Sequence, residues 1–224
     1  MLGSSVMLPT LAQVLNTLAH ELRTPLAVSQ GYLKLYLEGR LQSPDDQRKA
    51  LQQTADAVAR LSELCGEVGT LAALSESKGP PVQEQLPVAL LLKDLREREE
   101  LSQVTWMGEA NPTQVIATPG RRDLVRAFVL VARTAVDDSR GRAVSINIVT
   151  APDGLRLLVG VEPGLAALAS GPDDKDATAF DLLRGGRGLS LIWAALVLNR
   201  SNIYIWQHAA ERAAVGFRLP LSPP

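Results

Sequence analysis

Two long runs of apolar residues at three-to-four spacing constrain this chain more than any other feature. Between about Leu11 and Leu37 the apolar positions include Leu11, Leu15, Leu18, Leu22 and Leu26, which lay one seam along a single amphipathic helix. The stretch from Glu38 to Pro44 breaks the period. Ser43 then supplies an N-cap, Pro44 suits the first helical position, and Asp45 and Asp46 set negative charge at the positive end of the dipole. From there Leu51, Val58, Leu61, Cys65, Val68 and Ala72 keep heptad-like spacing to about Leu74. Two long helices on a short connection form an antiparallel hairpin, and a lone hairpin leaves half of its apolar surface in water. Dimerisation into a four-helix bundle covers that surface, so burial alone leads to an expected homodimer. Cys65 falls on the second seam and reads as a buried, inert thiol.

His20 lies off the first seam. At 100° per residue it sits about 200° round from Leu18, so its imidazole faces solvent, with Thr24 one turn further along the same face. A neutral imidazole attacks phosphorus through one ring nitrogen when the other is held in the right tautomer and the charge is balanced as the bond forms. Glu21, the next residue, is the candidate acceptor for that proton. Pro25 removes a backbone donor one turn beyond the histidine, and a proline inside a helix costs about 3 kcal/mol and bends it.

Charge and cysteine content exclude several classes. Lys and Arg total 23 against 24 Asp and Glu, interspersed along 224 residues, so no broad field exists to hold a nucleic acid or an anionic membrane. Cys65 is the one cysteine, which rules out a disulfide framework, and no His and Cys cluster has the spacing of a metal site. No window approaches the ~20 apolar residues that span a bilayer. A cytoplasmic protein is expected, either sensor-less by nature or part of something longer.

Ser75-Glu76-Ser77-Lys78-Gly79-Pro80-Pro81 has the composition of a linker and divides a hairpin domain, 9–76, from a second domain, 82–220. In the second domain, Pro87 to about Leu101 reads as a helix, and Val104–Met107 and Gln114–Ala117 read as strands. Arg122–Val136 is an apolar helix, and Val144–Val149 and Leu155–Val161 flank the turn Ala151-Pro152-Asp153-Gly154. Gly188–Leu198 is helical, and Ile203–Trp206 and Ala214–Leu219 form a last pair of strands. His208, in the turn between them, reads as a surface histidine with no recognisable partner.

The run His20-Glu21-Leu22-Arg23-Thr24-Pro25 closely resembles the phospho-acceptor motif of sensor histidine kinases, carried on their dimerisation and histidine-phosphotransfer hairpin. The resemblance implies that His20 takes the phosphoryl group and that Glu21 assists proton transfer. It also implies that Thr24 orients a water for dephosphorylating a partner's phospho-aspartate. Arg23, Ala27 and Gly31 are candidates for contact with a response-regulator receiver domain. The order of elements beyond the linker resembles the ATP-binding domain of the same family. The implied fold class is therefore α+β: an N-terminal antiparallel helical hairpin forming a dimeric four-helix bundle, followed by an α/β sandwich of the histidine-kinase ATPase type, a mixed sheet with helices on one face.

The nucleotide motifs match less well. The family's paired asparagines, which hold Mg²⁺ and the phosphates, fall on Leu130 and Thr134, and leucine offers no oxygen to a metal that demands oxygen ligands. The adenine-reading aspartate falls on Gly160 or on Glu162, according to register. Gly185-Gly186-Arg187-Gly188-Leu189-Ser190-Leu191 is similar to the second glycine motif, where a tight backbone cradles phosphates at a helix N-terminus. The reading adopted is a phosphorelay histidine phosphotransferase with a decayed ATP site, a pseudokinase with no cofactor and no resident metal. Its partner would be a receiver domain. The alternatives are an active kinase binding ATP and Mg²⁺ through Glu162, Gly164, Gly186 and Gly188, and a non-catalytic receiver-binding module or phosphatase.

Overall fold

The computed structural model describes residues 10–76, 83–182 and 188–221. Residues 77–81 of the linker stretch and Gly185, Gly186 and Arg187 of the glycine run lie outside the described residues. By contact the described residues form two compact units: one holds 10–76 with 188–189, the other 83–182 with 190–221.

The first unit is the hairpin. Helix α1 runs Leu11–Leu37 and opens on a capping box, in which the Thr10 hydroxyl accepts from Gln13 N–H while the Gln13 side chain accepts from Thr10 N–H. Helix α2 runs Pro44–Glu76, and the Ser43 hydroxyl accepts from Asp46 N–H at 3.0 Å, as its cap position requires. The helices meet along two interlocking heptad rows. On α2, Ala50, Ala57, Leu64 and Leu71 are buried at strict seven-residue intervals, with Thr54, Leu61 and Val68 half-buried between them. On α1 the facing row is Val14, Leu18, Glu21, Pro25, Val28, Tyr32 and Leu35, in which Pro25 is buried and the others are half-buried. Helix α1 continues through Pro25, and the Ser29 hydroxyl donates to the Pro25 carbonyl at 2.9 Å.

This corrects the seams expected from spacing. Leu11, Leu15 and Leu26 are exposed, as are Leu33 and Leu37, on a row beside the one that contacts α2. On α2, Leu51 and Val58 are 48% and 49% exposed, and Cys65 is exposed rather than buried. A heptad assigned one position out is still a heptad; spacing alone cannot say which of two adjacent rows faces the partner helix.

The second unit is built on a six-stranded mixed sheet in the order β2-β4-β5-β8-β7-β6, with β2 parallel to β4 and the other pairs antiparallel. Its strands are β2 (Thr105–Met107), β4 (Ser145–Ala151), β5 (Gly154–Gly160), β6 (Ala177–Ala179), β7 (Tyr204–His208) and β8 (Ala214–Leu219). A separate antiparallel ribbon pairs β1 (Glu84–Pro87) with β3 (Val115–Thr118). The expected helix from Pro87 is shorter, α3 at Val88–Arg96, because Pro87 is the last residue of β1. Helices α4 (Arg121–Asp138) and α6 (Gly188–Arg200) overrun the expected ranges by a few residues, while the short α5 (Gly164–Leu168) and β6 carry too little periodicity to be foreseen.

Both faces of the sheet are covered, not one. Phe128 of α4 packs on Phe217 with the rings tilted and their centroids 4.6 Å apart, and register places Leu157, Phe217 and Ile205 side by side on that face. On the other, Leu165 and Leu168 of α5 join Leu158, Trp206 and Ala214 in a buried cluster. Gly216 lies between Leu158 and Trp206 in the register, and a Cβ there would collide with the Trp206 ring, so the glycine lets the indole lie flat across β8. His208 is likewise not idle: its Nδ1 accepts the N–H groups of Ala210 and Glu211 at 3.1 and 2.8 Å and shapes the turn into β8.

Helix α3 is clamped to α4 by a forked pair in which Arg121 Nε and Nη2 each donate to the Asp94 carboxylate at 2.6 Å. The Arg121 hydrogen bonds hold the Asp94 carboxyl below the usual carboxylate range. A depressed carboxyl pKa stabilises the fold above the unfolded value, near about 3.9, and that contribution disappears as pH falls through the folded value. Asp94→Asn therefore lowers the melting temperature at neutral pH, and the gap to the parent closes in thermal scans below about pH 4. Gly216→Ala, which forces the indole off its seat, costs about 1–3 kcal/mol in chemical denaturation.

Candidate phospho-acceptor site

His20 is exposed on α1 while Glu21, next in the chain, faces α2. The seam through Leu18, Glu21 and Pro25 dictates both orientations, since successive helical residues diverge by about 100°. His20, Glu21, Thr24 and Pro25 from α1, with Asp56, Ala57 and Arg60 from α2, line an open hollow of about 430 Å³ on the hairpin. The three residues expected to carry the chemistry thus border one space. Arg23, Ala27 and Gly31 are all exposed on α1, and a side chain at Gly31 would meet nothing within 4 Å.

The carboxylate of Glu21 is 11% exposed and shares the guanidinium of Arg60 at 3.7 Å. Burial pushes its pKa above the ordinary glutamate value and the charge of Glu67 adds to this, while the backbone N–H groups of Leu189 and Gly188 and the charge of Arg60 pull it back down. Arg60 also reaches Glu63 at 3.1 Å and Glu67 at 3.7 Å, so one cation stands among three carboxylates beside the histidine. Neither Arg60 nor Glu67 was singled out in the sequence. Their signal is weak but present: Arg60, Glu63 and Glu67 are spaced three and four apart, which places them on one stripe of α2.

Of the residues considered for nucleotide, Leu130, Thr134, Gly160, Glu162 and Gly164 lie in the second unit and take structural parts, while Gly188 groups with the hairpin. Thr134 is 4% exposed and its hydroxyl donates to the Val131 carbonyl at 2.7 Å, so it is already engaged within its own helix. Leu130 brings no oxygen. Gly160 is packed so closely on β8 that a Cβ would collide with the Ala213 carbonyl. Glu162 is exposed and accepts the Ala166 N–H at 3.3 Å across the start of α5, and a Cβ on Gly164 would press on Ala214 at 2.8 Å. Gly188 is the first residue of α6, and Gly186 lies outside the described residues. Among the described residues no group of three or more His, Cys, Asp or Glu could hold a metal ion, and no helix is long and apolar enough to cross a membrane.

Comparison with known proteins bears on the hairpin most directly. Residues 10–77 match the His Kinase A (phospho-acceptor) domain. Over 79 residues the chain is 32% identical to the sensor protein SrrB of Staphylococcus aureus strain N315, and equally so to that of strain NCTC 8325 / PS 47. The match takes in 35% of this chain, and the chain spans 13% of the length of these curated relatives. Among solved structures, the histidine kinase AdeS of Acinetobacter baumannii superposes with a TM-score of 0.53 at 17% identity, over 91% of this chain and 97% of that one, a likeness of fold. The exposed histidine in its six-residue motif, the heptad hairpin beneath it and these matches agree: residues 10–77 are a histidine kinase A phospho-acceptor domain, through which the chain is homologous to sensor histidine kinases.

Proposed function

We propose that the protein is a phosphorelay histidine phosphotransferase: His20 accepts a phosphoryl group from a receiver domain's phospho-aspartate and passes it to another, with no nucleotide of its own. One ring nitrogen of His20 attacks phosphorus, the bond to the aspartate oxygen breaks, and the carboxylate leaves. The proton on the opposite ring nitrogen goes to Glu21. Transfer of this kind rests on positioning and charge neutralisation, which a receiver's own metal site supplies. The observation that carries the reading is the contrast between the two units. His20 is open to a partner beside Glu21 and Thr24, whereas Thr134 and Gly160, at positions where the resembled kinases hold Mg²⁺ and adenine, are taken up by packing. Arg23, Ala27 and Gly31 extend the exposed stripe of His20 and form the receiver-facing surface.

The exposed rows on both helices support a homodimer. Leu11, Leu15, Leu26 and Leu33 on α1, with Leu51 and Val58 on α2, continue the heptad character on a face the single hairpin leaves in water, and burying each such side chain yields about 1.5–3 kcal/mol. A four-helix bundle covers that face.

Two measurements test this reading. Incubated with labelled ATP and Mg²⁺, the purified protein stays unlabelled at millimolar nucleotide. Receiver domains from the same genome, phosphorylated with acetyl phosphate, label it at His20 and do not label His20→Gln. ATP-dependent labelling of His20 instead makes the protein a kinase, and a full biological output from His20→Ala makes it a silent receiver-binding module. In light scattering, the parent runs at twice the chain mass of 24.0 kDa, and Leu26→Glu with Val58→Glu reduces it to the single-chain mass.

A further inference from the structure

The hollow beside His20 contains a charge arrangement that the phospho-acceptor motif does not specify. Arg60, on the opposite helix, has Nη2 3.7 Å from Glu21 Oε2, and Nη1 3.1 Å from Glu63 Oε2 and 3.7 Å from Glu67 Oε1. Glu21 and Glu67 are the better buried of the three acids, at 11% and 22% exposed, so their mutual repulsion is the less screened by water. Resting on the phosphotransfer reading, we propose that Arg60 is a positioning residue for that reaction: shared between Glu21 and Glu67, it keeps the Glu21 carboxylate ionised and turned to the hollow, ready to take the proton that His20 gives up.

The balance has a direction. Among the described residues, Arg60 and Glu67 from α2 face Glu21, with Glu63 reaching it through Arg60, Asp56 bordering the same hollow, His20 adjoining on α1, and the backbone N–H groups of Gly188 and Leu189 at the start of α6. Burial and Glu67 favour the protonated acid; the backbone N–H groups of Leu189 and Gly188 and the charge of Arg60 oppose them, and Arg60 is the side chain among these that substitution can remove. A protonated Glu21 cannot accept a proton. Loss of Arg60 therefore moves the onset of His20 reactivity to higher pH, and loss of Glu67 moves it lower. Those opposite signs separate the role from mere packing, because a distorted hairpin does not gain activity in acid.

The test uses the full chain with phosphoramidate as donor, following phosphohistidine by ³¹P NMR from pH 5 to 9 as a ratio to the parent at each pH. In this step a ring nitrogen of His20 bonds to phosphorus, the donor's P–N bond breaks, ammonia leaves with the electron pair, and Glu21 takes the imidazolium proton. Arg60→Gln shifts the acid limb up by about one unit, Glu67→Gln shifts it down, and Arg60→Lys restores the parent profile. Coincident limbs for the parent, Arg60→Gln and Glu67→Gln overturn the role of Arg60 while leaving phosphotransfer standing. A parent chain that forms no phosphohistidine at His20 at any pH overturns both. Should Arg60→Gln fail to fold by circular dichroism, the downward shift of Glu67→Gln decides alone, and its absence refutes the proposal.

Discussion

Everything the hairpin does follows from which heptad row faces which. The α2 row is narrow, with Ala50 and Ala57 at two of its buried positions, and small residues let α1 come close. Pro25, buried on the facing row of α1, borders the same hollow as Ala57. That fit fixes the rotation of α1 about its own axis. Once Leu18 and Pro25 are turned inward, Glu21 must be inward too, and His20 must be out. A slip of one residue would bury His20 and expose Glu21.

The same phase relation explains what the sequence could and could not disclose. Spacing correctly located both helices, the break after Leu37 and the outward histidine, because a 3.6-residue period is a strong signal over some thirty residues. It misplaced the seam because Leu11, Leu15 and Leu26 look more hydrophobic than the working row, which includes a glutamate and a proline. Hydrophobicity marks every buried face, including one that only a partner covers, so the greasiest stripe drew the eye and carried Cys65 with it. In the second unit the long strands β4, β5, β7 and β8 were legible from alternation. Helix α5 and strand β6 were not, since five and three residues cannot establish a period.

The polar details were the least legible, for a physical reason. His208 looked unpartnered because its partners are backbone N–H groups, which every residue carries and no sequence pattern advertises. Arg60 was not singled out for a similar reason: three-to-four spacing with Glu63 and Glu67 is the usual signature of a solvated face. What distinguishes it is the third carboxylate, Glu21, contributed from 39 residues earlier across the hairpin. Pairing across helices depends on rotation, and rotation is what the ambiguous seams left open.

On the proposed reading, the two units differ in how local a chemistry each would require. Phosphoryl transfer at His20 asks for a nitrogen, a proton acceptor and room for a partner, all drawn from one hairpin whose packing is local. Nucleotide binding asks for oxygen ligands in near-octahedral array and a carboxylate at the adenine, drawn from separate elements of a sheet domain. Leu130 offers no oxygen to such a metal, while Gly160 satisfies the close approach of β5 to β8 and the Thr134 hydroxyl is bonded within its own helix. The sheet's stability rests elsewhere, on Phe128 against Phe217 and on Trp206 over Gly216. Those contacts hold the sheet together without calling on Leu130 or Thr134, the positions that the resemblance assigns to metal.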